Sequence, residues 1–311
     1  MTRPALLILV GPTASGKTAV ACEIAKSLPV EAVSCDSMQV YRGMPLLTQN
    51  PTAAEKKALK THLVGFLDPS EEYDAALFRR DALEAIAGIR KKKRLPLLTV
   101  GTGLYLRALL DGLFETDRDN TRDERYRKKL LREQAEHGGH CLHEKLKKVD
   151  PASAAKIHPN DHRRLVRALE VHRLTGRPLS ELKPTRRGIR QDFHCRLFFL
   201  NRDRADLYRR IGRRVDAMLK HGLLKEARSL ARRKPGRTAS MALGYREMQS
   251  VLDKKQSLTE AAERLKKNTR NYAKRQLSWF RHEKGIEPVT VGEEESPKKV
   301  AQRILKMWKD L

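Results

Sequence analysis

The run Ala5-Leu-Leu-Ile-Leu-Val10 breaks into Gly11-Pro-Thr-Ala-Ser-Gly16-Lys17-Thr18, and apolar residues then return at Val20, Ile24 and Leu28. An unbroken apolar run ending at glycine reads as a strand covered on both faces, and the spacing after the loop reads as a helix. No other feature constrains the fold as much, because a buried strand that feeds a helix through a tight loop packs back onto a parallel sheet. Gly11 and Gly16 permit positive φ and close backbone approach. The amides of Thr13, Ala14, Ser15 and the first helical turn converge on anionic oxygens, Lys17 adds a point charge, and Thr18 offers a hydroxyl to Mg²⁺. The loop is a cradle for a diphosphate, and its residues alone leave open whether that diphosphate belongs to a nucleotide.

The same alternation continues to about Leu113. Strands are expected at Ala5 to Val10, Glu31 to Cys35 and Leu97 to Val100, with a helix near Leu77 to Arg94, which spells an α/β fold: a P-loop NTPase-like parallel sheet with crossover helices. Functional loops are expected at the carboxyl ends of its strands. Between Glu115 and Thr185 strand-like runs vanish, and helical segments at Asp123 to Glu136, Leu142 to Val149 and His162 to Leu174 are separated by Gly138-Gly139, Pro151 and Pro159. The α/β pattern resumes at Arg196-Leu-Phe-Phe-Leu200, and an amphipathic helix follows with Leu207, Ile211, Val215 and Met218 on one face. The organisation expected is therefore a core in two pieces, 1–114 and 191–311, with an all-helical insertion at 115–190 and a basic helical C-terminal region.

Lys and Arg number 65 against 38 Asp and Glu, a formal charge of +27. An excess of this size points to a polyanionic partner, because Lys and Arg that neutralise phosphates supply sequence-independent affinity. A 40% hydrophobic and 33% charged composition is that of a globular protein. No leader and no span of membrane length is read in the sequence, so a cytoplasmic protein with no membrane contact is expected. Cys22, Cys35, Cys141 and Cys195 are scattered without a paired spacing, which suggests neither a zinc site nor a disulfide framework.

A P-loop kinase or ATPase places a second carboxylate at the end of an apolar strand to hold Mg²⁺. Here Leu97-Leu-Thr-Val100 runs into Gly101-Thr102-Gly103 instead, while the other strand end, Ser34-Cys35-Asp36-Ser37-Met38-Gln39, offers one carboxylate. Asp36 beside a diphosphate could help hold the metal or act as a base.

With these residues the chain resembles the bacterial tRNA dimethylallyltransferases. Gly11 to Thr18, Asp36-Ser-Met-Gln-Val-Tyr-Arg-Gly-Met44, Gly101-Thr-Gly-Leu-Tyr105, Asn160-Asp-His-Arg-Arg164 with Arg167-Ala-Leu-Glu170, Gly244-Tyr-Arg-Glu247 and Thr269-Arg-Asn-Tyr-Ala-Lys-Arg-Gln276 follow in that family's order. The resemblance implies transfer of a dimethylallyl group from dimethylallyl diphosphate to N6 of adenosine 37 of tRNA, with Mg²⁺ as cofactor. It implies Asp36, Thr102 and Arg214 as catalytic residues, and Gly11, Thr13, Ala14, Ser15, Gly16, Lys17 and Thr18 as the donor site. Thr18, with Asp36 as a second candidate, would ligate the metal. It further implies contacts to the tRNA anticodon stem-loop from Asp36, Ser37, Met38 and Gln39, from Asn160, Asp161, His162, Arg163 and Arg164, from Gly244, Tyr245 and Arg246, and from Thr269, Arg270, Lys274, Arg275 and Gln276. The insertion resembles the family's tRNA-clamping domain, and a monomer is expected.

On the helix that ends the chain's longest basic segment, Leu258, Ala262, Leu265, Tyr272 and Trp279 form an apolar stripe, which reads Tyr272 and Trp279 as core. Two places depart from the family pattern. Pro45-Leu-Leu-Thr48-Gln-Asn50-Pro51 stands where the family has Asp-Ile-Gly-Thr-Ala-Lys-Pro, and Val100 replaces the first glycine of Gly-Gly-Thr-Gly. Rival readings are an adenylate isopentenyltransferase acting on free nucleotide, to which a basic insertion and C-terminal half would be superfluous, and a P-loop kinase or ATPase, which the missing second carboxylate disfavours. A non-catalytic RNA-binding module leaves the cradle unexplained.

Overall fold

Six parallel strands form the sheet: β1 (Ala5–Val10), β2 (Val30–Cys35), β3 (Thr61–His62), β4 (Leu95–Val100), β5 (His194–Arg202) and β6 (Ile286–Val291), in the order β3-β2-β4-β1-β5-β6. The computed structural model describes residues 3–114, 123–138 and 140–309. Its chain divides into two compact units, one of Met1–Arg107 with Arg190–Leu311 and one of Ala108–Ile189.

In the sheet unit, β1 pairs with β4 at Leu7↔Leu97 and with β5 at Leu7↔Arg196, so the strand that feeds the glycine loop lies centrally. Side chains alternate between faces. Leu7, Leu9, Ala32, Leu97, Phe198 and Leu200 pack with Val20, Ala21 and Ile24 of the helix Lys17–Ala25 and with Val300, Ala301 and Ile304 of the helix Pro297–Lys309. On the strands' alternate positions, Phe199 meets Phe280 of the helix Leu258–Arg281 with ring centroids 6.1 Å apart. Covering on both faces is why β1 reads as an unbroken apolar run. The turns that follow β1, β2 and β4 all lie at one edge of the sheet, because every pair is parallel.

The expected strands are present, β1 with the bounds read and β2, β4 and β5 slightly longer. Two were not expected: β3 has only two residues, and in β6 the sequence Glu287-Pro288 interrupts the apolar pattern. β6 pairs with β5 alone, and an edge strand is where a proline without an N–H fits a sheet. The C-terminal part is thus not helical throughout.

The unit Ala108–Ile189 is all helical among the described residues. Its helices Glu124–His137, His140–Val149 and His162–Thr175 enclose Leu130, Leu142, Leu146, Leu165 and Leu169. The fully buried Glu170 accepts from Arg127 Nε at 2.6 Å, Arg127 Nη2 at 2.7 Å and the Asp123 amide at 3.0 Å. The unit begins within the helix Gly103–Leu110, upstream of the expected boundary at 115, which itself lies outside the described residues, as does Gly139 of the expected Gly-Gly break.

Candidate active site

The glycine loop closes on its own backbone. Gly16 takes φ 97° and Ala14 φ 64°, both in the left-handed region, which turns successive amides toward one point. Lys17 Nζ donates to Gly11 O at 2.8 Å and Pro12 O at 3.0 Å. Two arginines from the β5 side clasp the loop: Arg202 Nε donates to Ser15 O and Arg210 Nε to Ala14 O, each at 2.9 Å. A Cβ on Gly11 would lie 2.7 Å from Ser15 Oγ, a buried hydroxyl with no hydrogen-bond partner among the described residues. Burial pulls Lys17 down to about 8 against the opposing pull of Asp36, with Arg214 adding to the fall. Burial, and then the neighbouring arginine, likewise lowers Arg210 and Arg214. Cations crowded by desolvation around a loop of inward amides mark a site for an anion.

Asp36 follows β2. Its Oδ1 accepts the Met38 amide at 2.8 Å, and a Cβ on Gly101 would collide with its Oδ2, so the glycine after β4 leaves the room the carboxylate occupies. Burial raises the Asp36 pKa, while the Met38 amide, Lys17 and the Gln39 amide work against the rise. Thr102 Oγ1 accepts the Ser37 amide at 3.1 Å, and the amides of Gly101 and Thr102 both bond Cys35 O at 3.1 Å, which ties the ends of β2 and β4 together. Asp36, Ser37, Thr102, Lys17 and the loop residues therefore converge as the strand-end argument expected.

Gln276 and Gln49 join these pieces. Gln276 is buried; it accepts the Thr13 amide at 2.8 Å and donates to Gly101 O at 2.7 Å, bracing the glycine loop against the β4 turn. Its expected place at an RNA surface is corrected accordingly. Gln49, a residue the sequence did not single out, accepts at Oε1 from Thr13 Oγ1 at 2.9 Å and from Arg214 Nη1, and its backbone oxygen takes Gln39 Nε2 at 3.0 Å. Only the motif departure at Pro45 to Pro51 drew attention to this loop.

Tyr272 and Trp279 are half-buried rather than core. The Tyr272 hydroxyl is pushed up by burial and by the Asp36 charge, with a hydrogen bond to Thr102 opposing, which places it beside Asp36 and Thr102. Trp279 lies against Gly103, where a Cβ would collide with its ring, under Arg107 at 4.4 Å from the ring centroid. The stripe that is buried instead includes Ala262, Leu265, Thr269, Ala273 and Leu277.

Of the remaining expected RNA contacts, Lys274, Arg275, Arg246, Asn160, Arg163 and Arg164 are exposed, while Tyr245, Arg270, Asp161 and His162 are half-buried. Asp161 caps the helix His162–Thr175 through the Arg164 amide at 3.3 Å. Two are corrected. Thr269 is buried with its hydroxyl on Leu265 O at 2.8 Å, and Gly244 is a buried turn at φ 98° against Leu47 and Leu265.

Among the described residues no group of three or more His, Cys, Asp or Glu could hold a metal ion. One hydroxyl, Thr18, and one carboxylate, Asp36, fit Mg²⁺ nonetheless, because this ion keeps waters and takes substrate phosphate oxygens in place of a protein cage. No helix among the described residues is long and apolar enough to cross a membrane.

Comparisons with known proteins show what the chain is similar to. The family model described as IPP transferase matches residues 39–283, and that described as isopentenyl transferase matches residues 4–65. The chain is 43% identical over 305 residues to a tRNA dimethylallyltransferase of Desulforudis audaxviator, covering 97% of each protein. With the tRNA dimethylallyltransferase of Geobacillus thermodenitrificans it shares 43% identity, over 91% of this chain and 89% of that one. Among solved structures, the tRNA isopentenylpyrophosphate transferase of Bacillus halodurans superposes with a TM-score of 0.70 at 38% identity, covering 99% of this chain and 98% of that one. A eukaryotic dimethylallyltransferase acting on tRNA gives a TM-score of 0.84 at 28% identity, covering 99% of this chain and 79% of that one. Matched by that family model over most of its length and by these relatives from end to end, the chain belongs to the IPP transferase family, the family of the tRNA dimethylallyltransferases.

Proposed function

We propose that the protein transfers the dimethylallyl group of dimethylallyl diphosphate to N6 of adenosine 37 in the anticodon loop of tRNA. The observation that carries this reading is the meeting of one half-buried carboxylate, Asp36, with the cationic glycine-loop cradle, where no second metal-binding acid stands. The exocyclic amine of adenine is a poor nucleophile and must shed a proton as it attacks. In the reaction the N6 lone pair forms the bond to C1 of the prenyl group, the C1–O bond breaks with its electron pair going to the bridging oxygen, and the N6 proton passes to Asp36. The leaving diphosphate gathers charge as the bond breaks, and the loop amides, Lys17 and Arg214 face it without reorganising. Thr18 would hold Mg²⁺, which would supply further charge neutralisation. Thr102, whose hydroxyl accepts the Ser37 amide beside Asp36, is the residue assigned to the bridging oxygen. The adenine must be splayed out of the anticodon loop to reach Asp36, with the exposed basic residues holding the RNA backbone.

Incubation with labelled dimethylallyl diphosphate, Mg²⁺ and unmodified tRNA tests the reading. Wild type should place label on one anticodon-loop adenosine. Lys17→Ala should lose donor use while binding tRNA as wild type does, and label absent from tRNA with wild type would refute the proposal.

A further inference from the structure

Arg214 enters the site as a half-buried guanidinium, and what fixes it is a neutral group. Its Nη1 donates to Gln49 Oε1, and the same oxygen takes the hydroxyl of Thr13 from the glycine loop at 2.9 Å. One amide oxygen thus sets both the arginine's direction and its distance from the cradle. A guanidinium has five N–H donors in a rigid fork, so a bond at Nη1 leaves the others available to an anion.

Gln49 is itself held by several independent contacts. It takes φ 55°, in the left-handed region that a residue with a side chain rarely adopts. The surrounding loop enforces that backbone: Leu46 and Leu47 donate their amides to the Glu226 carboxylate at 2.8–3.0 Å, Asn50 N bonds Pro45 O at 3.0 Å, and Gln49 N bonds Leu46 O at 3.2 Å. Gln39, next to the Asp36 turn, donates to Gln49 O at 3.0 Å and accepts from Ser34 Oγ at 2.7 Å. The Pro45 to Pro51 run therefore places a glutamine amide between the donor cradle and the Asp36 turn.

We propose that Gln49 is a positioning residue of the donor site: its neutral amide orients Arg214 toward the diphosphate while leaving the arginine's positive charge uncompensated for that ligand. A carboxylate at the same place would orient Arg214 equally well but cancel the charge. An apolar side chain of the same length would leave the charge and lose the orientation. The inference rests on the reading of this cradle as a diphosphate site.

The experiment measures binding of inorganic pyrophosphate with Mg²⁺ by calorimetry, together with the unfolding temperature, for wild type, Gln49→Met and Gln49→Glu. Pyrophosphate affinity should fall about tenfold in Gln49→Met, which loses one hydrogen bond to a charged group, and the unfolding temperature should fall with it. In Gln49→Glu affinity should fall at least as far, by about tenfold or more, yet the unfolding temperature should rise because a half-buried cation gains a counter-charge. tRNA affinity should hold in both. The opposite movement of stability and affinity in Gln49→Glu is the signature that a merely structural glutamine would not give. Gln49→Glu binding pyrophosphate like wild type overturns the inference, as does a parallel loss of stability and affinity in both variants. A wild-type protein that binds no pyrophosphate overturns the donor-site reading and the inference together.

Discussion

In the proposed reaction Asp36 takes the N6 proton, and its surroundings set what replacing it does. Oδ1 holds the Met38 amide and Oδ2 occupies the space left by Gly101. Asparagine keeps the acceptor at Oδ1 and the volume of the side chain, so Asp36→Asn should leave pyrophosphate and tRNA affinity intact while removing the proton acceptor. Single-turnover rates at saturating donor and tRNA should fall by about 10² or more; a rate near wild type would take the role of base away from Asp36. The pH dependence of kcat/KM for the donor carries the same signature. Asp36 must be ionised to accept a proton, and burial raises it above its ordinary 3.8, so the rising limb should lie above that value. Lys17 must be protonated to meet the diphosphate, so activity should fall as pH rises through about 8. In Asp36→Asn the acid limb should disappear and the alkaline limb remain.

At the level of elements, the site depends on turns being braced against each other, and Gln276 does this between β1 and β4. Gln276→Leu matches the volume but leaves the Thr13 amide and Gly101 oxygen without their partner. Thermal unfolding should show a loss of about 2 kcal/mol, and donor KM should rise while tRNA affinity holds; an unchanged KM would show that the brace is not needed for the cradle. Of the strands that place these turns, β1 was legible because burial on both faces leaves an unbroken apolar run. β6 was hidden by Pro288, which only an edge position tolerates. Within the helix Leu258–Arg281 the period was legible and the face was not. Thr269 and Gln276 bury because they find Leu265 O, the Thr13 amide and Gly101 O, partners that a hydropathy pattern cannot anticipate, and Tyr272 and Trp279 are displaced toward the surface. The loop, Asp36 and Thr102 announced themselves by residue type and strand-end position. Gln49 did not, because its role comes from a backbone turn and contacts distant in sequence.

For the molecule as a whole, the charge of +27 and the cradle have to serve one substrate pair. The cradle accounts for the donor, and the exposed Lys267, Lys274, Arg275 and Arg281 of the sheet unit, with Arg163 and Arg164 of the helical unit, give each unit basic surface for a polyanion. An enzyme acting on free nucleotide would have no use for that surface, and a P-loop kinase would consume ATP. The most direct measurement of the central claim offers the protein dimethylallyl diphosphate and Mg²⁺ with unmodified tRNA and with adenosine monophosphate in parallel, reads the mass of each acceptor, and follows ATP in a third reaction. The account predicts a dimethylallyl group on an anticodon-loop adenosine of tRNA, unmodified adenosine monophosphate and intact ATP. Prenylated adenosine monophosphate beside unmodified tRNA, or ATP turnover without prenyl transfer, would contradict it.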